Sequence, residues 1–274
     1  MSVNMKEDRN TIFEKTVEAF KVAFSSYNIE DIWENVIAFV VRPGVEFGDA
    51  VIYEYNRTRA ESLTNVLAAH HPDIGFEGHS TDYQTPVKLR EMVQDGNAIL
   101  KVGPALTFAL REGIFTLECM EKELYRENKN ETENNYFDKK SETGESDISL
   151  SNFKMTLDKA MIENPVSWQK HYSGSHEHII FSGKYSFSDR CRYYLPMPSV
   201  NSSLERLFKN LKIKDVLPLT LLSRFLPVQY RKIREGKLKP CPESILCDKV
   251  KGVLEDYYFA ITGGKENAQK EILE

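Results

Sequence analysis

Val36-Ile37-Ala38-Phe39-Val40-Val41 is an unbroken apolar run, rich in β-branched residues and stopped by Arg42-Pro43-Gly44. A run this short and this uniformly apolar fits a strand buried on both faces, as in a parallel sheet. Two further strand candidates follow, Ile74-Gly75-Phe76-Glu77-Gly78 and Ala98-Ile99-Leu100-Lys101-Val102. Helical patterns alternate with them. Residues 11–26 carry Phe13, Val17, Phe20 and Phe24 at helical spacing behind a capping box at Thr11-Ile12-Phe13-Glu14. Residues 57–69 turn Ala60, Leu63 and Leu67 inward. Thr85-Pro86 opens a helix with Pro at its first position, where the missing N–H costs nothing, and Asp95-Gly96-Asn97 closes it. After Gly103-Pro104 a long helix places Leu106, Leu110, Ile114, Leu117 and Leu124 on one side. Alternating strands and helices imply a parallel sheet with right-handed crossovers.

The expected organisation is therefore an α/β region of three βα units over residues 1–127, then a change of character. Residues 128–150 are polar and charged and read as a linker or insertion. Residues 151–262 read as a mainly helical region, with helices over 151–163, 199–211, 219–233 and 242–261, and residues 263–274 as a frayed tail.

Charge and composition remove several function classes. Lys+Arg 36 against Asp+Glu 41 gives a net charge of −5, which lacks the concentrated basic face of a nucleic-acid or anionic-membrane protein. No apolar run approaches the roughly 20 residues of a membrane span. MSVNMKEDRN has no signal-peptide core, so a cytoplasmic protein is expected. The four cysteines, Cys119, Cys191, Cys241 and Cys247, form no CxxC pair and read as reduced thiols. The sequence contains no G-x-G-x-x-G, P-loop or nucleophile elbow.

Ligands of parallel α/β folds bind at the carboxyl ends of the strands, and each strand candidate carries polar chemistry there. The first leads into Glu46. The second ends in Glu77-Gly78-His79-Ser80-Thr81-Asp82. Glu77 and His79, two apart on extended chain, share one face and could bind a divalent metal, with His79 as ligand, or pass a proton. The alternative is that Glu77 and Asp82 cap a helix or pair with lysines. Lys101 lies near the end of the third strand, where it could neutralise a phosphate or form a Schiff base, or run its stem along the sheet to solvent or a carboxylate such as Glu46. Gly103 could present its N–H to a phosphate. Arg190 and Arg192 form a basic and aromatic cluster, either a clamp on an anionic sugar phosphate or a packing motif paired to acids. His171, His176 and His178, around Ser173-Gly174-Ser175, read as solvated loop histidines.

Four segments together are specific. Val40-Val41-Arg42-Pro43-Gly44-Val45-Glu46-Phe47, the stretch from Glu77 to Thr85, the stretch from Ala98 to Glu112, and Tyr185-Ser186-Phe187-Ser188-Asp189-Arg190 resemble the non-catalytic Z subunit family of D-tagatose-1,6-bisphosphate aldolase. The resemblance runs over residues 10–260. It implies a TIM-barrel-like fold, here a partial (β/α) barrel followed by the helical region. It implies a protein that supports the activity and stability of a zinc-dependent class II aldolase catalytic subunit, in catabolism of galactitol, tagatose or N-acetylgalactosamine. Zinc is then expected in the partner. Family members are longer, and the chain resembles their C-terminal part. Three βα units fall short of the eight of a closed barrel, so the resemblance implies a truncated or split member, or one completed by a chain carrying the N-terminal barrel half. The competing expectation is a metal-dependent sugar-phosphate aldolase or epimerase in its own right, using Glu46, Glu77, His79 and Asp82, with Lys101 and Gly103 on phosphate.

Overall fold

The computed structural model describes residues 9–125 and 149–263. The described residues divide into two compact units, one of residues 9–105 with 254–263 and one of 106–125 with 149–253. Residues 126–148 and 264–274, where the sequence predicts a linker and a frayed tail, lie outside the described residues.

The first unit runs α1 (Arg9–Ser26), β1 (Ala38–Val41), β2 (Glu46–Phe47), β3 (Ile52–Tyr53), α2 (Arg57–His70), β4 (Gly75–Gly78), α3 (Pro86–Gln94) and β5 (Asn97–Leu100), then enters α4 (Pro104–Leu124). All three predicted strands form. They make one parallel sheet in the order β1-β4-β5, each pair joined through a helix as crossover chemistry demands. Asn56 and Thr85 cap α2 and α3 by accepting from Arg59 N and Lys88 N. Gly96 adopts φ +92, the left-handed conformation that lets the chain leave α3 and enter β5 at once. Gly75 is tight for another reason: a Cβ there would stand 2.7 Å from the Ala98 Cβ on the neighbouring strand.

One face of this sheet is a core. Phe39 and Phe76 pack with Phe13, Val17, Leu63 and Leu67 of α1 and α2, and the Phe13 ring meets Phe39 and Phe76 edge-on at 5.7 and 5.5 Å. Glu14 ties the two helices, its oxygens 2.7 Å from His70 Nδ1 and 3.1 Å from His71 Nε2. The other face is open. Val40, Glu77 and Ile99 stand in register across the three strands, and Val40 is 60% and Ile99 36% exposed. The expectation of strands buried on both faces is thus corrected: periodicity shows that a strand is apolar throughout, not which layers cover it. Among the described residues the sheet has three strands and no closed barrel forms.

In the second unit the rest of α4 packs with α5 (Phe153–Glu163), α6 (His176–Tyr185), α7 (Pro198–Leu211), α8 (Val216–Phe225), α9 (Pro227–Arg234) and the first part of α10 (Pro242–Thr262). Leu117, Met120, Phe153, Leu157, Leu207, Leu211, Leu222 and Ile245 are fully buried there. Glu121 is buried but satisfied, accepting from Ser151 N at 2.9 Å and from Asn210 Nδ2 at 2.6 Å. No helix among the described residues is long and apolar enough to cross a membrane.

Three local expectations change. Thr11 lies inside α1, which is already helical at Arg9, so it does not cap the helix. The helix predicted over 219–233 is two, because Pro227 has no N–H to continue the ladder and Leu226 leaves helical geometry. His176 and His178 are helical rather than in a loop, because Ser175 accepts from His178 N and starts α6.

Candidate functional site

The carboxyl ends of β4 and β5 bring Glu77, His79 and Lys101 together. The i,i+2 spacing puts His79 Nε2 3.3 Å from Glu77 Oε1, and the parallel pairing of β4 with β5 delivers Lys101 Nζ to the same oxygen at 2.9 Å. Lys101 therefore pairs with Glu77, not with Glu46 as the sequence suggested. Glu46 sits on the β2–β3 hairpin with Arg42 Nη1 3.5 Å away. The Lys101 ammonium first, and His79 after it, hold the Glu77 carboxyl below its ordinary range. A group so shifted stabilises the fold above the ordinary carboxylate pKa and loses that contribution as pH falls through the lowered value. Lys101→Met is expected to raise the Glu77 pKa and shrink this acid-side loss. Carboxylate 13C NMR titration reads the change, and an unmoved Glu77 would show that the pair is not formed in solution.

The loop after β4 is built tightly. Ser80 and Tyr83 both take positive φ, 58° and 64°, a conformation that costs on the order of 1–3 kcal/mol at each non-glycine residue and persists only where surroundings enforce it. The surroundings are visible. His79 N donates to Val41 O at 3.1 Å and Lys101 N to Gly78 O at 3.0 Å. Thr81 Oγ1 donates to Lys101 O at 2.7 Å, and Tyr257 OH donates to Thr81 O at 3.0 Å. Gln84 accepts from Tyr55 N at 2.9 Å and donates to Tyr53 O at 3.1 Å. Burial pushes the Tyr257 phenol above its ordinary range.

Asp82 is the loop's buried anchor. Its Oδ1 accepts from Gly103 N at 2.8 Å and Ala105 N at 2.9 Å, so a carboxylate of the chain itself caps the N-terminus of α4. The Gly103 N–H, expected to face a phosphate, is already bonded. Asp82→Ala is expected to lower thermal stability by the equivalent of about 0.5–2 kcal/mol, the range for losing an acidic N-cap; calorimetry checks it, and Asp82→Asn should recover part.

Arg190 and Arg192 belong to the second unit, in a 3-10 turn of residues 190–193. Arg192 donates to the Ser188 and Asp189 carbonyls and to Tyr193 OH. The acid of this motif, Asp189, pairs instead with Arg111 at 2.9 Å. Sequence reading singled out neither Arg111, Thr81, Gln84 nor Tyr257. Their one sequence signal is a polar residue placed inside otherwise apolar helical faces or turns.

The donor set at the strand ends does not suit a resident metal. Among the described residues no three His, Cys, Asp or Glu side chains gather to hold an ion. Glu77 Oε1 already faces an ammonium and His79, leaving the sequence-based assignment of His79 as a metal ligand without companions.

Comparison with known proteins gives these features a context. A crystal structure from Sinorhizobium meliloti 1021, described as a probable tagatose 6 phosphate kinase, matches with a TM-score of 0.76 at 35% identity over 94% of this chain. The chain spans 61% of that protein's length. The family model for the D-tagatose-1,6-bisphosphate aldolase subunit GatZ/KbaZ-like matches residues 2–262. The chain belongs to the GatZ/KbaZ-like family of D-tagatose-1,6-bisphosphate aldolase subunits.

Proposed function

We propose that this chain is a non-catalytic subunit that supports the activity and stability of a zinc-dependent class II aldolase catalytic subunit acting on tagatose 1,6-bisphosphate. The pathways that fit are the catabolism of galactitol, tagatose or N-acetylgalactosamine. The observation that carries the reading is the uncovered sheet face, where apolar Val40 and Ile99 flank Glu77 in register. Apolar residues left bare on a sheet face, here on either side of a charged cluster, favour an assembly site. The sheet is part of a (β/α) barrel in this reading, and β1, which among the described residues pairs on one side only, with β4, is the edge where further parallel strands continue it. Glu77, His79, Asp82, Lys101 and Gly103 then serve to hold the rim of that barrel, being bonded to one another. The kinase description stays with the S. meliloti protein; the family match of this chain is to an aldolase subunit.

The test is co-expression with a class II catalytic subunit from the same genome. The two chains are expected to co-purify, and the complex to retain aldolase turnover longer at elevated temperature than the catalytic subunit alone. Absence of co-purification together with an unchanged half-life refutes the proposal.

A further inference from the structure

A stripe along α4, with Phe108, Arg111, Phe115, Thr116 and Cys119 spaced i, i+3, i+7, i+8 and i+11, lines a cleft of ≈ 300 Å³ closed on one side by Phe225 of α8. All of these residues belong to the second unit. Its one buried charge is Arg111, whose side chain is 8% exposed. The guanidinium faces are taken: Phe108 and Phe115 rings lie 5.1 and 5.7 Å from its carbon. Its Nε lies 2.9 Å from Asp189 Oδ1. That contact is an ion pair without a well-formed hydrogen bond, since Nε is buried and unpartnered by hydrogen-bond geometry. Nη1 and Nη2 make no hydrogen bond to a described residue and are not among the buried unpartnered atoms, and that in-plane edge is the geometry that takes a carboxylate or phosphate two oxygens at a time. The turn that carries Asp189 is rich in arginine: Arg190 and Arg192 follow it in sequence, Arg192 donates to the Ser188 and Asp189 carbonyls, and Arg190 Nε is buried without a hydrogen-bond partner. The acid on the rim, Glu112, is neutralised by Lys249 at 3.0 Å.

We propose that this cleft binds a small organic anion, with its carboxylate or phosphate on Arg111 and an apolar body against Phe108, Phe115 and Phe225. The site is independent of the strand-end cluster and of the assembly reading.

Cys119 is an exposed thiol lining the cleft, and Cys247 is an exposed thiol outside its lining. Alkylation of the full chain, mapped by mass spectrometry, therefore carries its own control. Benzoate and phenyl phosphate are expected to slow alkylation of Cys119 and leave Cys247 unchanged. Neutral benzamide and bare inorganic phosphate are expected to need about tenfold higher concentration, the loss that follows from removing a charge-assisted hydrogen bond or the apolar contact. Arg111→Met should abolish the preference for benzoate over benzamide. Because that change strands Asp189, Phe225→Ala is the second variant: with the native circular dichroism spectrum it should weaken protection several-fold. Equal protection by benzoate and benzamide, protection by none of the anions, or protection untouched by Phe225→Ala overturns the proposal.

Discussion

Asp189→Ala lowers the unfolding free energy of the second unit by about 3–5 kcal/mol, the range for stranding one partner of a buried ion pair. Asp189 is 0% exposed, and its Oδ1 holds Arg111 Nε at 2.9 Å and the Cys191 thiol at 3.2 Å. Removing the carboxylate leaves the Arg111 charge in the same apolar wall. Asp189 also sits at φ 41, a conformation that Asp and Asn tolerate better than Ala, so backbone strain adds to the loss. Asp189→Asn keeps the turn and one acceptor, and should lose less. A double change, Arg111→Met with Asp189→Asn, should lose less than the sum of its parts, because the stranded charge is gone. The readout is available in the sequence. Its two tryptophans divide between the units, Trp33 in the first and Trp168, 3% exposed, in the second. Urea unfolding of a Trp33→Phe background followed by Trp168 fluorescence isolates the effect. A loss under about 1 kcal/mol would mean the pair is satisfied some other way.

The same pair marks the boundary of what the sequence discloses. Strands β1, β4 and β5 were legible because each is a short apolar run cut by Gly or Pro, and the helices between them because apolar residues recur at helical spacing. Glu77 beside His79 was legible because strand geometry is local: two residues apart is one face. That Glu77 pairs with a lysine and Asp82 caps a helix was one of the two readings the sequence left open; that the lysine is Lys101 was not legible, since it depends on the β4–β5 register, which no local pattern encodes. Arg111 on Asp189 joins α4 to a turn far along the chain and gives no sequence signal beyond an arginine on an apolar helix. The β2–β3 hairpin, two residues to a strand, is shorter than any periodicity can report. Pro227 and Ser175 were readable as punctuation, but an apolar pattern running through the first and a glycine beside the second outweighed them. Exposure escaped altogether: Val40 and Phe39 are both apolar, and only the tertiary layers decide that one is core and its neighbour bare.

That difference yields the second large effect. Phe76→Ala is expected to remove about 3–5 kcal/mol from the first unit, since Phe76 is buried against Phe13 and in register with Phe39. Trp33, packed against Phe39 at 6.1 Å, reports the transition in a Trp168→Phe background. Val40→Lys, one residue on from Phe39 and on the opposite face, is expected to leave the stability of the chain within about 0.5 kcal/mol, as surface changes do. If the open face is the assembly surface, that lysine replaces a bare apolar side chain by a charge at the edge where a strand would add, so co-purification with the catalytic subunit should disappear while the chain itself stays folded. The two variants separate folding from assembly on neighbouring positions of one sheet: a Val40→Lys chain that still forms the complex would move the partner surface elsewhere, whatever Phe76→Ala does to the core.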